Sequence, residues 1–140
     1  MRIVIAPSLH DKGIQCLWEL DSELPLVWAD GTNLMQVFLN LTTNSIRSLS
    51  EKTSDRSLTI SAKSDGQRVC VEVVDNGGGV AHPSELFHPF QTGAQNTGLG
   101  LYLARAFARS FGGDLRYKPM SGGACFVVEL APVRLSPEQP

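Results

Sequence analysis

Asn40 and Asn44 stand four residues apart inside an otherwise apolar run from Leu34 to Leu49. Their amides offer fixed donors and acceptors and carry no charge to repel an anion. On a helix of about 100° per residue, Leu34, Val37, Phe38, Leu41, Ser45 and Leu49 form one stripe, widened by Met35, Leu39 and Ile46. Gln36, Asn40, Thr43, Asn44 and Arg47 share the remaining sector of roughly 100°. That strip either faces water or holds a ligand. Asp75 follows a Val-rich strand and precedes three glycines. A carboxylate there, with backbone able to approach closely, can accept a hydrogen bond from an exocyclic amine; a plain Asp-Asn-Gly turn is the alternative. Gly98-Leu99-Gly100 opens a helix-forming stretch. Free N–H groups at such an N-terminus bind phosphate, although an ordinary helix start also uses glycine.

These features fall in a fixed order. After the asparagine helix come Asp75-Asn76-Gly77-Gly78-Gly79-Val80, Leu86-Phe87-His88-Pro89-Phe90, Thr97-Gly98-Leu99-Gly100-Leu101 and Gly122-Gly123-Ala124-Cys125-Phe126. Together they resemble the N, first glycine, F, second glycine and third glycine boxes of the sensor histidine kinase catalytic domain. That domain shares its ATP-binding fold, the Bergerat fold, with gyrase, Hsp90 and MutL. The resemblance runs from about Ile14 to Leu130.

The resemblance implies a set of roles. Asp75 binds the adenine N6 amine, and Gly77 and Gly79 make room for the ring. Asn44 coordinates Mg²⁺ through its amide oxygen, a hard ligand of the kind magnesium takes beside substrate phosphates. Arg47, three residues on, matches the basic position of the N box and is the candidate cation near the γ-phosphate, because the lid segment 91–97 lacks the lysine that some relatives carry. Phe87 and Phe90 pack the root of that lid or serve the core. Val80, Thr97, Gly98, Leu99, Gly100, Leu101 and Ala124 complete the nucleotide site. Asn96 stands where the family pattern has a further glycine; Asn tolerates positive φ better than most residues. In hydrolysing relatives the position of Asn40 is a glutamate acting as general base, which an amide cannot do.

Positioning these groups calls for particular elements. Strands are expected over residues 14–20 and 26–29, then the asparagine helix to about Ser50, with Asp30 as its N-cap. Residues 57–63 and 69–74 are β-rich and flank Asp65-Gly66, a strong hairpin signal. A short helical piece over 83–87, a helix over 99–111 ended by Gly112-Gly113, and a final hairpin of 115–118 with 124–130 follow. The expected architecture is α+β, a two-layer sandwich whose mixed sheet carries helices on one face. Residues 1–13 read as a lead segment, 14–131 as the ATP-binding domain and 132–140 as a flexible tail.

Composition narrows the alternatives. At 140 residues, 42% hydrophobic and 19% charged, the chain suits one globular core. A net charge of −2 with scattered bases supplies no field for nucleic acid, and no apolar run approaches a membrane span. Cys16, Cys70 and Cys125 suggest neither a redox pair nor a zinc site. The segment is expected to be soluble and cytoplasmic, with anchoring of a longer protein left open. His10 is bracketed by Pro7 and Gly13, and His82 and His88 border prolines, so none suits a phosphoacceptor in a long helix. The resemblance therefore implies a histidine kinase catalytic domain that takes Mg-ATP, releases ADP, and phosphorylates a histidine-bearing dimerisation domain supplied elsewhere, with a response regulator downstream. An ATPase or serine kinase of the same superfamily, or a regulatory nucleotide-binding module, is the alternative.

Overall fold

A computed structural model describes residues 12–89 and 99–133. Five strands form one mixed sheet: β1 (Ile14–Leu20), β2 (Arg56–Ser64), β3 (Val69–Asp75), β4 (Asp114–Lys118) and β5 (Ala124–Leu130), in the order β1-β2-β3-β5-β4. β1 pairs parallel with β2, and the other neighbours are antiparallel. Two helices, α1 (Gly31–Leu49) and α2 (Gly100–Ser110), pack on one face of the sheet. The α+β two-layer sandwich is as expected.

The periods of the sequence explain the layers. Leu58, Ile60 and Ala62 on β2 alternate with more exposed residues, as do Val69, Val71 and Val73 on β3, and all six meet α1 residues Val37, Leu41 and Leu49 in one core. Phe126, Val128 and Leu130 extend that core beneath α2, which contributes Ala104 and Ala108. On the helix-free face, Cys125 and Val127 are also buried, beside Arg116 paired to Glu129 at 2.9 Å and Lys118 near Glu72 at 3.9 Å.

Local signals set the joints. Asp30 caps α1 by accepting the Asn33 N–H at 3.0 Å. At the β2–β3 hairpin Asp65 Oδ1 accepts the Gln67 and Arg68 N–H groups, both at 2.8 Å, while Gly66 takes φ of +88°. Arg56 closes the C-terminal end of α1, donating from Nε to the Lys52 carbonyl at 2.9 Å and from Nη2 to that of Ser50 at 3.3 Å.

Several boundaries differ from the sequence reading. Residues 26–29 make only an isolated bridge, Val27 with Pro132, because proline supplies no N–H to extend a ladder. The piece expected over 83–87 is a 3-10 turn, Pro83–Glu85. Leu99 is the N-cap of α2 and not its first residue, and Asp75 is the last residue of β3 and not the first beyond it.

Candidate functional site

The face of α1 that bears the asparagines runs between two structures. At one end is the turn after β3; at the other is the start of α2. Asn40 meets α2: its Nδ2 donates to the Gly100 carbonyl at 2.9 Å, and its Oδ1 accepts from Gln36 Nε2 at 2.7 Å. Two turns later Ser48 Oγ accepts the Gly78 N–H at 3.3 Å. From Asn40 to Ser48 the helix rises by roughly 12 Å. Asn44 lies between them, half-buried, and Arg47 lies one turn beyond it on the same side. Neither side chain has a hydrogen bond or ion pair among the described residues. A free amide oxygen is a hard donor, so Asn44 fits a magnesium ion that takes its other ligands from phosphate and water. No group of three His, Cys, Asp or Glu suited to a metal occurs among the described residues.

Asp75 is 1% exposed. Its Oδ1 accepts the Gly77 N–H at 2.9 Å, whereas Oδ2 is buried with no partner among the described residues. Burial pushes the carboxyl above its usual range; the Gly77 N–H, the Ser45 hydroxyl and the Ala124 N–H act the other way. Ser45 Oγ is itself buried and makes no bond of ordinary geometry, although it lies close enough to stabilise the charge. A buried carboxylate oxygen left open in this way is an acceptor that an amine could fill.

The glycines serve the chain's own close approaches. A Cβ on Gly77 would stand 2.2 Å from Ser48 Oγ and 3.0 Å from Asp75 Oδ1, so the missing side chain is replaced by Ser48 and Asp75 themselves. Gly79 takes φ of +79°. At Gly123 a Cβ would lie 1.9 Å from the Asp75 carbonyl oxygen, which is how β5 can begin directly beside Asp75 and pair Ala124 with it.

At the other end, the N-cap Leu99 has an apolar side chain that makes no cap bond, and the first turn of α2 holds no acid, so the helix dipole leaves that terminus electropositive. Phe87 sits edge-on to Phe126, with centroids 6.5 Å apart, and lies beneath the Arg105 guanidinium at 4.6 Å. Val80 and Leu101 pack against the core. Phe90, Thr97 and Gly98, like Asn96, the 91–97 segment and His10, lie outside the described residues.

The sequence profile described as "Histidine kinase-, DNA gyrase B-, and HSP90-like ATPase" matches residues 29–134. The chain belongs to this family. Over 135 residues it is 36% identical to the C4-dicarboxylate transport sensor protein DctB of Pseudomonas aeruginosa, covering 92% of this chain and 22% of that protein. Against the sensor histidine kinase ZraS of Salmonella typhi it is 33% identical over 133 residues, covering 91% and 28%. The chain thus spans less than a third of either relative. Among solved structures, the nucleotide-free catalytic domain of histidine kinase ThkA superposes with a TM-score of 0.83 at 26% identity, covering 94% of this chain and 88% of that one. Full-length ShkA in complex with AMPPNP gives 0.80 at 29% identity, covering 95% and 29%.

Within this histidine kinase-like ATPase domain, the sequence reading passed over four polar residues. The helical period puts Ser45 in the apolar stripe and gives Ser48 no role, yet both reach the Asp75 turn. Thr42 is buried because its hydroxyl turns back to the Phe38 and Leu39 carbonyls at 2.9 and 3.2 Å. Asn76 looked like turn filler. It instead pins the turn to β2, accepting the Ser57 N–H at 2.9 Å and donating to the Asp55 carbonyl at 2.8 Å. The period of α1 carried a signal for Ser48, four residues beyond Asn44 on the same face; Asn76 had none.

Proposed function

We propose that this chain is the ATP-binding catalytic domain of a two-component sensor histidine kinase. It transfers the γ-phosphoryl group of ATP to a histidine on a dimerisation domain outside this sequence, from which a response regulator is phosphorylated. The observation that carries the reading is the face of α1, with a buried, half-satisfied carboxylate at one end and, at the other, a helix N-terminus whose first turn holds no acid. An elongated ligand with an amine at one end and an anion at the other matches that polarity. AMPPNP in the related ShkA supports ATP as that ligand.

In this mechanism Asp75 accepts the adenine amine, and Ser45 helps hold the carboxylate ionised. The N–H groups at the start of α2 and the Arg47 guanidinium attract the phosphates. Asn44 would hold Mg²⁺, which would supply positive charge against the triphosphate. The acceptor imidazole nitrogen forms the new N–P bond as the bond from the γ-phosphorus to the ADP oxygen breaks, so this chain need only position and neutralise. Asn40 already spends its amide on Gln36 and Gly100. An amide with no basicity near neutral pH leaves water unactivated, which favours transfer over hydrolysis.

The test supplies Mg-ATP to the purified chain with and without its cognate histidine-bearing dimerisation domain. Phosphorylation of a histidine on that domain, with negligible release of phosphate by the chain alone, is expected. Rapid hydrolysis by the isolated chain would favour the ATPase alternative, and nucleotide binding without transfer would favour a regulatory module.

A further inference from the structure

Among the described residues, the bond from Asn40 to the Gly100 carbonyl is the only side-chain hydrogen bond joining α1 to α2. It reaches the first residue of α2, where the helical bond from the Leu103 N–H to the Leu99 carbonyl, at 2.8 Å, closes the opening turn. An asparagine amide can be turned through 180° with little change of shape, so its neighbours must choose which end faces which. The Gly100 carbonyl accepts only the nitrogen end. That choice leaves the oxygen end toward Gln36, whose Nε2 donates to it at 2.7 Å. The Gly100 carbonyl sets the orientation, the Gln36 amide turns to match it, and a donor on the Asn40 oxygen polarises the N–H that Gly100 receives.

We infer that Gln36 is a positioning residue: through Asn40 it holds the first turn of α2 in place against α1. Its effect on the nucleotide rests on the reading of that turn as the phosphate end of the site. Gln36 is exposed and lies on a helix face four residues before Asn40, so replacement by other good helix formers leaves the fold intact.

The test uses the whole chain in two measurements. Amide hydrogen exchange at Leu103 and Ala104 is followed without nucleotide, and affinities for ATP and for adenosine are compared by calorimetry. Gln36→Ala should speed exchange at the start of α2 and weaken ATP by about 2- to 10-fold, the scale of one or two net hydrogen bonds, while adenosine, held at the Asp75 end, is unchanged. Gln36→Glu should speed exchange further than Gln36→Ala. A carboxylate only accepts, so it asks Asn40 to turn its nitrogen away from Gly100 and sets two oxygens against each other. Gln36→Lys retains a donor and should keep exchange near that of the unmodified protein. Equal exchange in all four proteins, or Gln36→Glu no faster than Gln36→Ala, would overturn the inference. Failure of the unmodified protein to bind ATP would instead overturn the functional reading, and the exchange rates would still decide the role of Gln36.

Discussion

Asp75 sets stability against binding. In the free domain its buried carboxylate is poorly compensated, and its pKa lies above the ordinary range. The charge therefore becomes a growing penalty as pH rises through that raised value, and this group adds stability as pH falls from there toward the usual carboxylate range. An amine donor favours the charged form, so nucleotide affinity should decline over the same window in which the free domain gains stability. Thermal melts and calorimetry at matched pH check both slopes. Asp75→Asn removes the buried charge while keeping an acceptor for the Gly77 N–H. It should raise the Tm of the free domain at neutral pH and weaken ATP by about 1.5 to 3 kcal/mol, the value of a charged hydrogen bond. An unchanged ATP affinity would sink the assignment of Asp75. Asn44→Ala is expected to abolish the magnesium-dependent part of ATP binding and to leave metal-free ADP affinity as it was. Persistence of the full magnesium enhancement would show that the ligand lies elsewhere.

Each element follows from a pattern that is plain in the sequence until a contact from elsewhere intervenes. The apolar period of α1 fixed its extent and core face, and Asp65-Gly66 located the hairpin, because both are local physics. Leu41 is fully buried on that face, and Leu41→Ala should destabilise the domain by about 2 to 5 kcal/mol in a denaturant titration. Residues 26–29 have strand-forming side chains, yet their partner is Pro132, a hundred residues away in the chain by order of magnitude and invisible to any local pattern. The candidate site is legible in the same measure. Asp75, Asn40 and Asn44 stood out by type and spacing, whereas Ser45 and Ser48 acquire meaning only once β3 lies beside α1. Gly123 belongs with them: its role is to let β5 pass over the Asp75 carbonyl. Gly123→Ala should lower both stability and ATP affinity, since either β5 or the Asp75 turn must move. A variant with native Tm and affinity would show that the turn yields without consequence.

For the molecule as a whole, the proposed function makes the choice between transfer and hydrolysis turn on a single position, Asn40, held where two helices meet. Asn40→Glu puts a carboxylate where hydrolysing relatives of the family carry their base, and phosphate release in Mg-ATP should rise above the negligible rate expected of the unmodified chain. No rise would mean that the missing base is not what limits water attack. The sheet that supports this site is assembled unevenly. β2 with β3, and β4 with β5, are hairpins that close over short turns, but β1 reaches β2 only across the whole of α1. Loop closure of that length opposes early pairing, and an edge strand has one neighbour to hold it. β1 should therefore join last during folding and open first under native conditions, so that its amides exchange faster than those of β3, while the carboxylate at the end of β3 stays inside the most persistent unit of the domain.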